Sequence, residues 1–143
     1  MTKRRLTFAP RASILRKLRE EVRRLAAEFG AAEKVGDNLA LVVDEIVNNA
    51  IEHGSAYRRL GLDLAVQIAA DGDRLRIEFF DPETPSDVVA ELAAAIADAA
   101  NGMPSLDSER GRGLFLLSVY LEELRAERAP AGGLCLVGHI ARQ

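Results

Sequence analysis

Three groups of residues in this 143-residue chain are of types and spacings that could do chemistry. Within DNLALVVDEIVNNAIEHG, Asp37 to Gly54, Glu45 and Asn49 stand four apart and His53 one turn further on. A carboxylate, an amide and an imidazole therefore share the border of one helix face. A carboxylate there is costly to desolvate unless it has a partner or a task; the plain alternative is the rim of an amphipathic helix meeting solvent. Asp81 ends an alternating stretch, a common place for a functional acid. Gly111-Arg112-Gly113 runs into an apolar helical repeat. Bare N–H groups and the positive end of a helix dipole can seat a phosphate there, although a glycine-led helix start is more often a packing device.

These groups need elements to hold them. Leu39, Val42, Val43, Ile46, Val47, Ala50 and Ile51 sweep one broad arc at helical spacing, so Asp37 to Gly54 is expected as a single helix, started at Gly36-Asp37 and closed by a left-handed Gly54. Before it, Arg4 to Ala9 alternates Leu6 and Phe8 inward as a strand, and Arg11 to Phe29 repeats Leu15, Leu18, Val22, Leu25 and Phe29 as a helix that Gly30 closes. After it, Leu62 to Ala70 and Arg74 to Phe80 read as a hairpin around Asp71-Gly72-Asp73, delivering Asp81. The prolines of DPETPSD break regular structure, with Ser86 or Asp87 as the cap of an alanine-rich helix, Val88 to Ala100. Thin anchoring makes 82–110 a candidate lid; a solvated helix and loop is the equal alternative. A helix from Leu114 to Glu123 and a hairpin of Leu124 to Arg128 with Leu134 to Arg142 complete the chain. The order predicts one domain, 1–143, an α/β (α+β) two-layer sandwich with a mixed, mainly antiparallel sheet and helices on one face.

Composition narrows the classes. With 48% hydrophobic and 29% charged residues the chain is an ordinary globular protein. No apolar run approaches the ~20 residues of a membrane span, and MTKRRLTFAPRAS lacks the apolar centre of a secretory signal, so a cytoplasmic, membrane-free protein is expected. The single Cys135 excludes an internal disulfide, and the two histidines have no zinc-site spacing. Residues 1–30 carry nine Lys/Arg against three Glu, leaving the rest distinctly acidic. That basic helix could serve a protein partner; direct nucleic-acid binding is the lesser reading, without aromatic interleaving or a helix-turn-helix pair.

The motifs together resemble a known family. Glu45-Ile-Val-Asn-Asn49-Ala-Ile-Glu-His53-Gly looks like the N-box of the GHKL ATPases, the superfamily of gyrase, sensor histidine kinases and MutL. Asp81 looks like the aspartate of its adenine box, and Glu109-Arg-Gly111-Arg-Gly113-Leu-Phe-Leu like its second glycine box. The short form with a basic first helix is similar to the anti-sigma factor serine kinases and anti-sigma regulatory proteins. The resemblance implies the GHKL (Bergerat) ATP-binding fold, with ATP and Mg²⁺ as cofactors. It assigns Asn49 to Mg²⁺, Glu45 to the general base on an attacking hydroxyl, Asp81 to the adenine amino group, and Gly111 and Gly113 to the phosphates. Arg110 and Arg112 are candidates for phosphate charge on chemical grounds. His53 reads as a packing and hydrogen-bonding residue.

The implied partners are a sigma factor and a STAS-type anti-anti-sigma factor, with a homodimer expected. One departure stands out: the family's Asp-x-Gly is here Asp81-Pro82-Glu83, placing a side chain and a negative charge where a nucleotide is expected. Two readings follow, an ATP-dependent protein serine kinase that binds a sigma factor and phosphorylates its antagonist, and a non-catalytic partner-sequestering module with a weakened pocket. The ATPase half of a split histidine kinase ranks below both, because no phosphoacceptor-histidine helix is read ahead of the domain.

Overall fold

The computed structural model describes residues 2–100 and 109–143, with residues 100 and 109–112 as backbone alone. In chain order these form β1 (Lys3–Phe8), a turn of tight helix (Ala12–Ile14), α1 (Leu15–Glu28), α2 (Glu33–Gly54), β2 (Leu64–Asp71) and β3 (Arg74–Asp81). Then come α3 (Ser86–Ala100), α4 (Glu109–Tyr120), β4 (Glu122–Arg128) and β5 (Leu134–Ala141). The five strands make one sheet, β1-β2-β3-β5-β4, antiparallel at every pairing.

The pleat divides the sheet's two faces. Along β3, Leu75, Ile77, Phe79 and Asp81 are buried and alternate with less buried Arg74, Arg76, Glu78 and Phe80. Phe79 is paired with Val66 of β2 on one side and Leu136 of β5 on the other, so one apolar row crosses three strands. That row meets Leu18, Val22 and Leu25 of α1 and Leu39, Val43, Ile46 and Val47 of α2 in a single core. The α/β sandwich expected from the element order is the structure found, but its sheet is wholly antiparallel where a mixed, mainly antiparallel one was expected. On the opposite face, burial pushes the Cys135 thiol up to about 11, aided by Glu78 and Glu127, so it stays protonated at neutral pH and is a poor nucleophile.

Several boundaries differ from those expected. α2 begins at Glu33, because Val35 continues the buried stripe and Gly36 lies inside the helix, where an added Cβ would make only ordinary contacts, with Ala26 at 3.7 Å and the Arg23 backbone at 3.8 Å. Gly54 is not a left-handed cap: it is the last residue of α2, and Ser55 after it keeps a right-handed φ of −57°. α4 begins at Glu109, so Gly111 and Gly113 lie within a helix and not in a turn before one. β4 starts at Glu122, and a register shift between Glu122 and Arg125 coincides with the positive φ of 54° at Glu123. Of the expected lid, α3 is seated by Val89 and Ile96, both in the core, while 101–108 lies outside the described residues.

The basic first helix is largely answered inside the chain. Arg19 meets Asp44 at 2.6 Å, Arg23 meets Asp37 at 3.1 Å, and Arg24 lies between Glu21 and Glu28 at 2.6 Å each. The two pairs to α2, Arg19–Asp44 and Arg23–Asp37, contribute about 0.2–1 kcal/mol apiece, as surface pairs do. These two pairs also clip α1 to α2, which carries the candidate site.

Candidate functional site

α2 positions the first half of the site. The helical repeat that buries Ile46 and Val47 leaves Glu45 and Asn49 half-buried at its edge, and the Asn49 amide donates to Glu45 Oε1 over 3.3 Å. Among the described residues the Asn49 oxygen, at the other end of the amide, accepts no hydrogen bond. α4 crosses at this point: a Cβ on Gly113 would stand 2.6 Å from Glu45 Oε1 and 2.8 Å from Asn49 Nδ2. The second glycine motif is therefore pressed against the Glu-Asn pair, and only glycine fits there without moving it. The backbone of Gly111 lies in the same helix; the side chains of Arg110 and Arg112 lie outside the described residues.

From Asn49 a cavity of about 50 Å³ runs inward, walled by Ile46 and Ala50 of α2, Phe79 of β3, Leu92 of α3, Leu114 and Leu117 of α4, and Leu134 and Leu136 of β5. Asn49, Tyr57 and Asp81 are its polar members. An apolar slot with a few convergent polar groups is the form of a small-molecule site, though this one is far narrower than the roughly 300–1,000 Å³ of typical ligand pockets.

Asp81 closes the inner end, and it is not free. Its side chain is 1% exposed, and Arg58, from the loop after α2, binds it with both arms: Nη1 donates to Oδ1 at 3.0 Å and Nη2 to Oδ2 at 2.7 Å. The hydrogen bonds to Asp81 hold the guanidinium above its ordinary pKa against the opposing effect of desolvation. The Glu83 amide is the carboxylate's third donor, giving Oδ1 a second bond at 3.1 Å.

The Glu83 side chain turns away toward the same loop and accepts the amides of Arg59, Leu60 and Leu62 at 2.9, 2.7 and 3.0 Å. Those amides, led by Leu60, hold its carboxyl below the usual range, with Arg58 adding a smaller pull the same way. Glu83 is thus a clamp on the 58–62 loop, and the charge expected to face a nucleotide is already answered within the chain. His53 Nε2, in the last turn of α2, and Thr84 Oγ1, just beyond Glu83, are buried and have no hydrogen-bond partner among the described residues.

The structure therefore brings Glu45, Asn49 and Gly113 together and places Asn49 and Asp81 on one cavity. Sequence reasoning missed Arg58, whose signal was present only as two arginines in a short basic loop, SAYRRLG. The donor set at Asn49 suits Mg²⁺, which takes one or two protein oxygens and fills its octahedron with water and phosphate. The Asp81 end suits a purine amino group only once Arg58 leaves it.

Residues 8–137 match the family of histidine kinase-like ATPase domains. The chain belongs to that family. Among solved structures, this ATPase-type domain is similar to SiaB-SiaC from Pseudomonas aeruginosa, with a TM-score of 0.67 and 20% identity over 94% of this chain and 88% of that one. It is also similar to the RsbU and RsbW domains of Rv1364c from Mycobacterium tuberculosis, with a TM-score of 0.65 and 19% identity over 99% of this chain and 32% of that one. At such identities the likeness is one of fold. No curated protein matches the chain. Among the described residues, no helix is long and apolar enough to cross a membrane.

Proposed function

We propose that the domain binds Mg-ATP in the cavity between Asn49 and Asp81 and acts as an anti-sigma regulatory protein serine kinase. In this reading it binds a sigma factor in the cytoplasm as a homodimer and phosphorylates a STAS-type anti-anti-sigma partner. The observation that carries the reading is the convergence of Asn49, its bonded Glu45 and Gly113 at one end of an apolar slot whose other end is Asp81. The solved SiaB-SiaC complex, similar in fold, supports a protein partner.

Asn49 Oδ1 would hold Mg²⁺, which when bound neutralises phosphate charge. Glu45 is the general base: its carboxylate takes the proton of the partner's serine hydroxyl as that oxygen bonds to the γ-phosphorus of ATP and ADP departs. The α4 helix, brought close by Gly113, fixes the Glu-Asn pair at the reacting end.

A second reading has its own support. Arg58 occupies both oxygens of Asp81, which favours a non-catalytic module that sequesters partners with its base site closed. Transfer of labelled γ-phosphate to the partner serine separates the two. The kinase predicts transfer by the wild type and a loss of about 10²- to 10⁴-fold in Glu45→Gln, the usual weight of a general base. No transfer by the folded wild type in the presence of Mg-ATP and partner selects the module.

A further inference from the structure

We infer that Arg58 is a built-in occupant of the base subsite, a guanidinium that stands in for a purine amino group on Asp81, so that nucleotide enters only when the loop carrying Arg58 is released. The inference rests on the nucleotide reading of the cavity and adds to it a residue that governs entry.

Four observations converge on Arg58. A purine amino group would approach Asp81 as an N–H donor, and the guanidinium already fills that role twice, on both oxygens, at 3.0 and 2.7 Å. The side chain is 9% exposed, so it belongs to the interior. Its Nη2 also donates to the carbonyl of Ala50, a residue lining the same cavity, at 3.3 Å. The seat is cut for it as well: a Cβ on Gly54 would come within 2.5 Å of Nη2, so the end of α2 must be glycine for the guanidinium to lie as it does. That gives the glycine, expected as a left-handed cap, its actual task.

The loop behind Arg58 is held shut by Glu83, through three amide bonds and a 3.6 Å approach to Nη1. Glu83 also braces Asp81 with its own N–H, so the clamp and the plugged carboxylate share a backbone segment. Opening requires exchange of the Arg58–Asp81 pair for a base–Asp81 pair, with release of the guanidinium to water. A site whose competent form is a minor state shows its intrinsic affinity divided by that form's population, so an open fraction of about 1–10% weakens binding roughly 10- to 100-fold.

The test is titration of Mg-ATP into the full chain and three variants, with circular dichroism to confirm the fold of each. Arg58→Gln removes the plug but leaves Asp81 without its cation. Gly54→Ala leaves both partners intact and displaces the guanidinium by sterics, at a helical position where alanine is well tolerated. The third variant combines Arg58→Gln with Asn49→Ala. The inference predicts that Arg58→Gln and Gly54→Ala each bind at least 10-fold tighter than wild type, and that adding Asn49→Ala abolishes the gain. Equal affinity of wild type, Arg58→Gln and Gly54→Ala would overturn the plug while leaving the nucleotide site standing. No binding by any folded form would remove the nucleotide reading itself, and the plug with it.

Discussion

The two ends of the cavity are opposites in how their hydrogen bonds are spent. At the outer end, Glu45 and Asn49 share one bond of 3.3 Å and are half-buried, and the amide oxygen accepts no bond among the described residues. At the inner end, Asp81 accepts three donors and is 1% exposed, and the carboxylate beside it, Glu83, accepts three more. A half-exposed end can wait for a cation and phosphates that bring their own charge. A buried carboxylate cannot wait, because an unpaired charge in that position is strongly destabilising, and the chain answers it with Arg58.

The contrast is broken most forcefully at Asp81. Asp81→Ala strips the Arg58 guanidinium of both its short carboxylate bonds, leaving only the 3.6 Å approach of Glu83, and should cost about 3–5 kcal/mol in urea unfolding. Asn49→Ala at the other end should fall within about 0.5 kcal/mol of wild type. Equal losses at the two positions would show that the ends are not built differently.

Gly113→Ala sharpens the contrast from the outer end. The new methyl displaces Glu45 Oε1 and Asn49 Nδ2, both ends of side chains that can swing, and alanine recovers about 1 kcal/mol of helix propensity. Stability should therefore change little while Mg-ATP binding is lost in calorimetry. Retained binding would separate Gly113 from the phosphate end.

A smaller effect is expected with pH. Glu83 is held below its ordinary value in the folded state, so its contribution is fully present above the usual carboxylate range near pH 4.3 and is lost as pH falls through the lower folded value. The amide signals of Arg59, Leu60 and Leu62 should shift together in that acid window, and Glu83→Gln should remove the transition. Arg19→Ala, away from the cavity, should cost only about 0.2–1 kcal/mol in the same unfolding measurement, since Asp44 is its surface partner.

Much of the fold was legible because strand alternation and helical spacing are local. Leu75, Ile77 and Phe79 alternate plainly in β3, and Gly72, at φ +64°, made the hairpin readable. The Glu45-Asn49 spacing was readable for the same reason, one helix placing both groups. What could not be read was long-range: Arg58 finds Asp81 across 23 positions, and Glu83 finds the amides of the 58–62 loop across a similar separation. A glutamate in place of glycine signals a departure, but only the folded loop shows that its charge is turned to backbone N–H groups. Gly54 and Gly113 misled in a related way, since each is glycine because a side chain from elsewhere lies against it.

Amide hydrogen exchange with and without Mg-ATP tests the central claim most directly, because it reports both ends of the cavity in one experiment. The account predicts added protection over Asn49 to Gly54 together with faster exchange at Arg59, Leu60 and Leu62 as the Arg58 loop is released. Saturating Mg-ATP that leaves both segments unchanged would contradict it.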